Sequence, residues 1–582
     1  MSSLNSVKIH PADNPAINTI GTIRQEMKVQ VSELIVRFME RLGVETIFGM
    51  PGAHILPVYD SLYDSTIQSV LAKHEQGAAF MACGYTRHSG KIGACITTAG
   101  PGATNLITGI ANAYADKQPI IIITGETPTY IFGKGGLQES SGEGGSIDQC
   151  ALFSSITRYS KVIERTDYIP NVLNHVAKIL LSDNSGPVLL SIPYNVQKEM
   201  IELDCLDEVT TQKPDPHSGY NTDQIKQLSR YIIDAKHPVI VSGYGCLKSG
   251  AEQQVTQLSQ QFNIPVTSSL KGKGTINECS ELSLGSLGVT SNGYAYDYIV
   301  NKADLVVVLG ASFNERTSYL WNKELLKNKI VIQVDINNEQ IEKVYQADLC
   351  ICADIKQVLT NVISELNVAE CGKKQLLNIP EYKDNYEQEA MANGNSIFQA
   401  EFSLIEAFFR KMNSQFPTGI TVFDDNIIFA QNLLMVSTGN RFYPNSGISS
   451  LGHAIPAAIG AQFASKSTMF AIIGDGGFQM CAMELMTAVN YDIPLNVILF
   501  NNSSMGLIRK NQVQSYQNRF IDCDFINPDY AALAKSFGIT HVRAETKDDL
   551  DDVFDNTDFT GKINLIEIMV DKNAFPNYSS RR

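Results

Sequence analysis

A chain of 582 residues is too long for one compact core, and about three or four domains are expected from length alone. Hydrophobic residues make up 44% and charged residues 18%, the ordinary balance of a protein that buries large cores. With 61 acidic against 46 basic residues the formal charge is −15, which argues against tracking a nucleic-acid backbone and leaves room only for a local basic pocket. Eleven cysteines form neither a CxxC pair nor a Cys/His group at zinc spacing, so reduced thiols in the cytoplasm are expected. No apolar run approaches the ~20 residues of a membrane span.

In chain order, residues 1–26 are polar, carry Pro11 and Pro15, and lack both a secretory apolar stretch and an Arg-rich bias. They are expected to form an N-terminal arm. Short Val/Ile-rich runs then recur at 92–97, 120–124, 188–192, 238–242, 305–309, 330–335, 468–473 and 495–500. Most are followed by a glycine-containing turn and a helix-like stretch. Runs apolar on both sides suit parallel strands covered by helices, so the chain is expected to be α/β, with doubly wound, mostly parallel sheets. Two polar stretches, 201–222 and 369–396, divide it into 27–200, 223–368 and 397–582. Each piece is the size of one sheet domain.

The sharpest motif is Gly474-Asp475-Gly476 at the end of one run, with Asn501-Asn502 at the end of the next. The interval fits a single helical crossover, expected over 480–491, between neighbouring parallel strands. Both residues then reach the carboxyl edge of one sheet, where open α/β sheets bind ligands. A carboxylate from Asp475, an amide oxygen from Asn502 and a main-chain carbonyl near Ser504 form a hard-oxygen set suited to Mg²⁺ shared with a ligand phosphate. Gly476 and Gly477 would open a helix toward that phosphate. Singly, each motif is an ordinary turn; the pairing at matched strand ends points to a diphosphate cofactor.

This pairing is similar to the diphosphate-binding signature of thiamine-diphosphate enzymes. Such a cofactor needs a carboxyl group against its pyrimidine ring, and Glu75, in His74-Glu75-Gln76-Gly77 after the run 67–73, fits that role. A first-turn carboxylate is by itself only a dipole partner. The neighbouring Gly100-Pro101-Gly102-Ala103-Thr104-Asn105 raises it to a candidate expected to be buried. Together with Gly49-Met50-Pro51-Gly52, residues 56–65, 98–105 and 474–480, these segments resemble the catalytic subunit of acetolactate (acetohydroxyacid) synthase.

The resemblance runs through nearly the whole chain after about residue 27. It implies a pyrimidine-binding domain, a central domain and a diphosphate-binding domain, with the cofactor between two subunits of a homodimer or homotetramer. A separate regulatory subunit is a further implied partner; nucleic acid and membrane are not. Gly52, Gly102, Asn105, Asn426, Leu451, Met505 and Gly506 fall at cofactor-side positions, Leu451 as the apolar prop under the bent cofactor. In the centre, Gly243, Gly245, Gly288 and Asp335 resemble flavin-binding segments and imply FAD, with an empty or ADP-binding domain as the alternative. Val289-Thr290-Ser291 and Asn314-Glu315 depart from the family there.

Other departures concern the acceptor pocket. Gln138 matches a family residue beside the reacting ring, but Leu137 replaces a Phe, Tyr194 a Lys and Asn511 a Trp, and a Gly/Ser-rich stretch, 140–146, lengthens the loop. His54 stands at a small-residue position, either shuttling protons or only hydrogen-bonding in its loop. Arg316 is placed to bind a substrate carboxylate. The expected reaction is decarboxylation of a 2-keto acid such as pyruvate and ligation of the two-carbon unit to a second carbonyl compound. The alternative is an oxidase, decarboxylase or acetyltransferase with another acceptor. A nicotinamide dehydrogenase is disfavoured, because no GxGxxG opens a helix after the early strands.

Overall fold

The computed structural model describes residues 28–213, 219–375 and 377–578; the expected N-terminal arm lies outside them. The first unit contains β1 (Lys28–Gln30), β2 (Thr46–Gly49), β3 (Gln68–Leu71), β4 (Gly93–Thr97), β5 (Ile120–Glu126), β6 (Tyr159–Val162), β7 (Val188–Pro193) and β8 (Met200–Glu202). β2–β7 form one parallel sheet in the order 3-2-4-5-7-6, while β1 and β8 pair as an antiparallel ribbon. The Ile run of β5 is buried along its whole length, as expected of a strand covered on both faces.

The central unit holds β9 (Pro238–Ser242), β10 (Val266–Ser268), β11 (Ser283–Ser286), β12 (Leu305–Leu309), β13 (Ile330–Asp335) and β14 (Leu349–Cys352), ordered 11-10-9-12-13-14. The third holds β15 (Ile420–Asp424), β16 (Arg441–Pro444), β17 (Thr468–Gly474), β18 (Leu495–Asn501), β19 (Thr540–Ala544) and β20 (Ile563–Met569), ordered 16-15-17-18-20-19. Both sheets are parallel throughout. In each, strand order reverses direction next to a central strand, which opens a crevice at the carboxyl edge.

Each of the first and third units keeps a core of its own on one face of its sheet, and the two share a further core between them. Helix Glu75–Ser89 of one packs on helix Ala454–Gln462 of the other, and a single apolar cluster runs from Phe48 and Ala79 through Ile455 and Ala458 to Leu499. The approach is close because both helices are built from small residues. A Cβ on Gly84 would overlap the Ala457 carbonyl, and one on Gly460 the Met81 carbonyl. The central unit keeps its own clusters on either face of its sheet.

The polar stretch 369–396 contains the 14-residue helix Ile379–Ala392, capped by the Asn378 side chain. One local expectation needs correction. The crossover between β17 and β18 is not one helix over 480–491. It is the helix Asp475–Cys481, a 3-10 turn Ala482–Glu484 and the helix Leu485–Asn490. The break places the buried Glu484 carboxylate on the main-chain N–H groups of Lys73 and His74, at 3.1 and 2.9 Å, a contact with the first unit that a straight helix would not deliver.

Candidate functional site

β17 ends at Gly474 and β18 at Asn501, and their register pairs Gly474 with Phe500, so Asp475 and Asn502 emerge side by side. Asp475 is buried, and its carboxylate accepts the N–H groups of Gly476 (3.0 Å), Asn502 (3.1 Å) and Ser503 (2.6 Å) and the Asn527 amide (2.8 Å). Burial pushes its titration above the ordinary carboxylate range, with those donors opposing the shift. The Asn502 side-chain oxygen accepts the Ser504 N–H at 3.1 Å, and Ser503, in the left-handed region at φ 51°, turns the chain between them.

Asp475, Asn502 and Ser504 line a cavity of about 280 Å³ at the carboxyl edge of the third sheet. Asn426, Leu451, Gly476, Gly477, Met505 and Gly506 line it as well, so the expected cofactor-side residues of this domain meet in one place. The donor set fits a hard cation and an anion. Asp475 and Asn502 present oxygens, and the buried Asn426 Oδ1 and Ser504 Oγ have no partner within the protein. Among the described residues no three His, Cys, Asp or Glu side chains are grouped so as to hold a metal ion.

A second group of residues sits at the carboxyl edge of the first sheet. Glu75 opens the helix Glu75–Ser89 behind its N-cap His74, and its Oε2 accepts the Asn105 amide at 2.9 Å, from the helix that follows β4. Glu75 is half-buried in the single chain, not enclosed as expected, and it does not line the Asp475 cavity. His54 Nδ1 lies 3.3 Å from Gln138 Oε1, and the Thr98 hydroxyl donates to the same oxygen at 3.3 Å. Gln138 sits at φ 57°, a conformation costly for this residue type and frequent at functional sites. Gly52 packs directly on Thr98, and Gly102 faces Thr97 and Thr98, so both belong to this group. The loop carrying Gln138 is fixed from below by Glu139, whose carboxylate accepts the N–H groups of Gly133 and Gly136. Leu137 beside it points to solvent.

The central-domain residues divide. Gly288 and Arg316 line a smaller cavity with Tyr244, Lys271 and Ser286, and the Arg316 carbonyl accepts the Val289 N–H at 3.1 Å. The Arg316 charge bears on Asp424 at the end of β15, whose carboxyl is pushed up to about 7, chiefly by burial. Gly243, Gly245 and Asp335 do not line that cavity. The N–H of Gly243 donates to Leu309 O and that of Gly245 to Gly310 O, and Asp335 accepts the Asn337 N–H.

Three contributors escaped the sequence reading. Asn527 buttresses Asp475 and Asn501 from a distant loop; only its Asn-Pro turn before a helix hinted at a special position. Glu484 carried no signal. Asp425 follows β15 as Asp475 follows β17, so the strand-end rule could have found it. It is fully buried and accepts the N–H groups of Gly452 (2.8 Å) and His453 (3.1 Å) and the Asn445 amide (3.2 Å), thereby holding the turn that carries Leu451.

Three family descriptions match this chain: the thiamine pyrophosphate enzyme N-terminal TPP binding domain over residues 29–151, the central domain over 225–362 and the C-terminal TPP binding domain over 426–568. A probable acetolactate synthase large subunit from Methanocaldococcus jannaschii is 32% identical, covering 93% of this chain and 92% of its own length. The acetolactate synthase large subunit of Cyanidium caldarium is 32% identical, with 93% and 94% covered. The isozyme 2 large subunit of Escherichia coli is 29% identical, with 94% and 96% covered. With all three domains matched in order and the Asp475 and Glu75 groups at the carboxyl edges of the outer sheets, the chain belongs to the thiamine pyrophosphate enzyme family and resembles its acetolactate synthase large subunits.

Proposed function

We propose that the chain decarboxylates a 2-keto acid, pyruvate, and joins the two-carbon unit to a second carbonyl compound, the acetolactate synthase reaction of its relatives. The observation that carries this reading is the convergence of Asp475, Asn502, Asn426 and Leu451 on one cavity. When bound, thiamine diphosphate supplies the electron sink that bond cleavage next to a carbonyl carbon requires. Asp475, Asn502 and a main-chain carbonyl near Ser504 would hold Mg²⁺ and, through it, the diphosphate. Leu451 would support the middle of the cofactor, and Met505 and Gly506 its flank.

Glu75, oriented by Asn105, would hold a proton at the pyrimidine ring nitrogen. Gln138, held between Thr98 and His54, would orient the keto acid, and His54 would hold a proton on the product oxygen. Arg316 would bind a substrate carboxylate. A homodimer or homotetramer in the cytoplasm is part of this reading. Glu75 stands apart from the cavity of its own chain, and Met480, Met483 and Ile526 are apolar and exposed nearby in the third domain, as surfaces awaiting a second copy are. The large-subunit names of the relatives support a separate small regulatory partner.

The test is incubation of the purified protein with thiamine diphosphate, Mg²⁺ and pyruvate, followed by product identification. Acetolactate supports the reading. Acetaldehyde, acetate or acetyl phosphate as the sole product replaces it with the decarboxylase, oxidase or acetyltransferase alternative.

A further inference from the structure

The central sheet reverses its strand order between β9 and β12, so its ligand crevice should open at their carboxyl ends, where Gly243, Gly245 and Gly310 stand. A dinucleotide pyrophosphate held there needs free main-chain N–H donors and open space in front of the glycines. Neither is present. The N–H of Gly243 donates to Leu309 O (2.8 Å), Gly245 to Gly310 O (3.1 Å), Cys246 to Gly243 O (3.1 Å) and Gly310 to Val334 O (2.9 Å). A Cβ on Gly243 would overlap the Gly310 carbonyl oxygen, and one on Gly245 would come within 2.7 Å of the Gly310 Cα. These glycines let two turns pack backbone to backbone. What remains beside them is a cavity of about 80 Å³, well below the roughly 300–1,000 Å³ of sites for drug-sized ligands.

Two side chains that rim this crevice, Tyr244 and Lys271, are committed elsewhere. Lys271 reaches across to the first domain and pairs with Asp116, a buried carboxylate that Arg87 also approaches, at 3.6 Å. Burial opposes ionisation of Asp116, but Lys271 and Arg87 outweigh it and hold the group below its ordinary range. The Tyr244 hydroxyl accepts the Gln118 amide at 3.1 Å, and the Arg87 guanidinium stacks over both Tyr244 and Tyr443 while donating to the Pro444 carbonyl at 3.0 Å. One network thus joins residues of all three domains.

We infer that the central crevice of this chain takes no flavin and that its rim residues Tyr244 and Lys271 instead clasp the three domains together around Asp116. The inference deepens the proposed function, on which it rests, by removing the electron acceptor an oxidase would need.

Two measurements on the full-length holoenzyme test it. Protein purified from riboflavin-supplemented cells is denatured, the supernatant is scanned for flavin absorbance and thiamine diphosphate is quantified separately; purified enzyme is also titrated with FAD while flavin fluorescence is followed. No released flavin and no saturable quenching are expected. Flavin near one per chain, or saturable quenching, overturns the flavin half whether or not the same preparation forms acetolactate. For the clasp, Asp116→Asn, Lys271→Met and the double variant are compared by thermal unfolding. The double variant is expected to lose less than the two single losses combined, because a lone buried charge is costlier than none. Additive losses overturn the clasp.

Discussion

The Asp425 carboxylate offers the most quantitative test of how the cofactor cavity is built. It is fully buried and accepts three donors, two of them the main-chain N–H groups of Gly452 and His453 that immediately follow Leu451. Its Oδ2 also occupies the space that a Cβ on Gly477 would fill, so the carboxylate ties the Leu451 turn to the start of the helix Asp475–Cys481. Burial pushes Asp425 up to about 6, so it is largely ionised at neutral pH. Three abandoned buried donors would cost on the order of 3–9 kcal/mol in Asp425→Ala, against a typical total stability of about 5–15 kcal/mol, so that variant is expected to unfold. Asp425→Asn is the informative change. It keeps the shape and one acceptor oxygen but turns an NH₂ toward one of the three donors, at a cost of about 1–3 kcal/mol. If half of that cost falls on the Leu451 turn in its cofactor-ready position, the thiamine diphosphate concentration for half-activity should rise about 2- to 10-fold. The assay is coenzyme-titrated turnover at saturating Mg²⁺, paired with the melting temperature of the apoprotein. A lowered melting temperature with unchanged coenzyme dependence would refute the reasoning, because the carboxylate would then serve the fold alone.

Two further outcomes follow from particular contacts. Glu75→Gln preserves a partner for the Asn105 amide but removes the titrating proton, so turnover should fall by about 10²–10⁴ while coenzyme binding by fluorescence quenching stays near the parent value; parental turnover would remove Glu75 from the chemistry. His453 is buried with both ring nitrogens unpartnered, and burial first, the Arg87 charge second, lower it from 6.5 to about 3, with Asp116 opposing. Between those values the unfolded chain binds a proton that the folded chain does not, so this stability is complete above pH 6.5 and is lost as pH falls, by up to about 1.4 kcal/mol per unit. Asp424 and Asp425, both raised by burial, act with the opposite sign, because the folded chain then holds the extra protons and loses stability as pH rises. His453→Phe should erase the acid-side loss in urea unfolding compared at pH 7 and pH 5; an unchanged difference between the two pH values would show that His453 is not the group responsible.

The legible and illegible parts of this molecule differ in how local their physical cause is. The strands from 238–242, 305–309 and 330–335 were readable to the residue because a fully buried parallel strand must be a short β-branched run, whatever it packs on. Asp475 and Asn502 were readable because a polar residue directly after such a run reaches the carboxyl edge of the sheet. Asn527 was not, since its role arises from a loop 52 residues further along the chain that folds back onto Asp475. Gly243 and Gly245 are ambiguous in the sequence for a related reason. A glycine that admits a phosphate and a glycine that admits a neighbouring turn leave the same letter in the sequence. Only the partner, here Gly310, tells them apart.

Glu484 shows why the break in the crossover belongs to the site rather than to the connection. The chain leaves Asp475 as a short helix, turns at Ala482–Glu484, and there delivers a buried carboxylate to the N–H groups of Lys73 and His74, directly before Glu75. Those two amides lie at the start of the helix Glu75–Ser89, where N–H groups have no helical partner and a negative charge is favourable. A Cβ on Gly77 would strike the same carboxylate, so the first turn of that helix is shaped to receive it. Thr487 donates to its second oxygen at 2.8 Å and fixes its rotamer. The segment that begins at Asp475 therefore also fixes the register of Glu75 on the first sheet. A single uninterrupted helix would have spanned β17 to β18 equally well, but it would have left the start of the Glu75 helix without its acceptor.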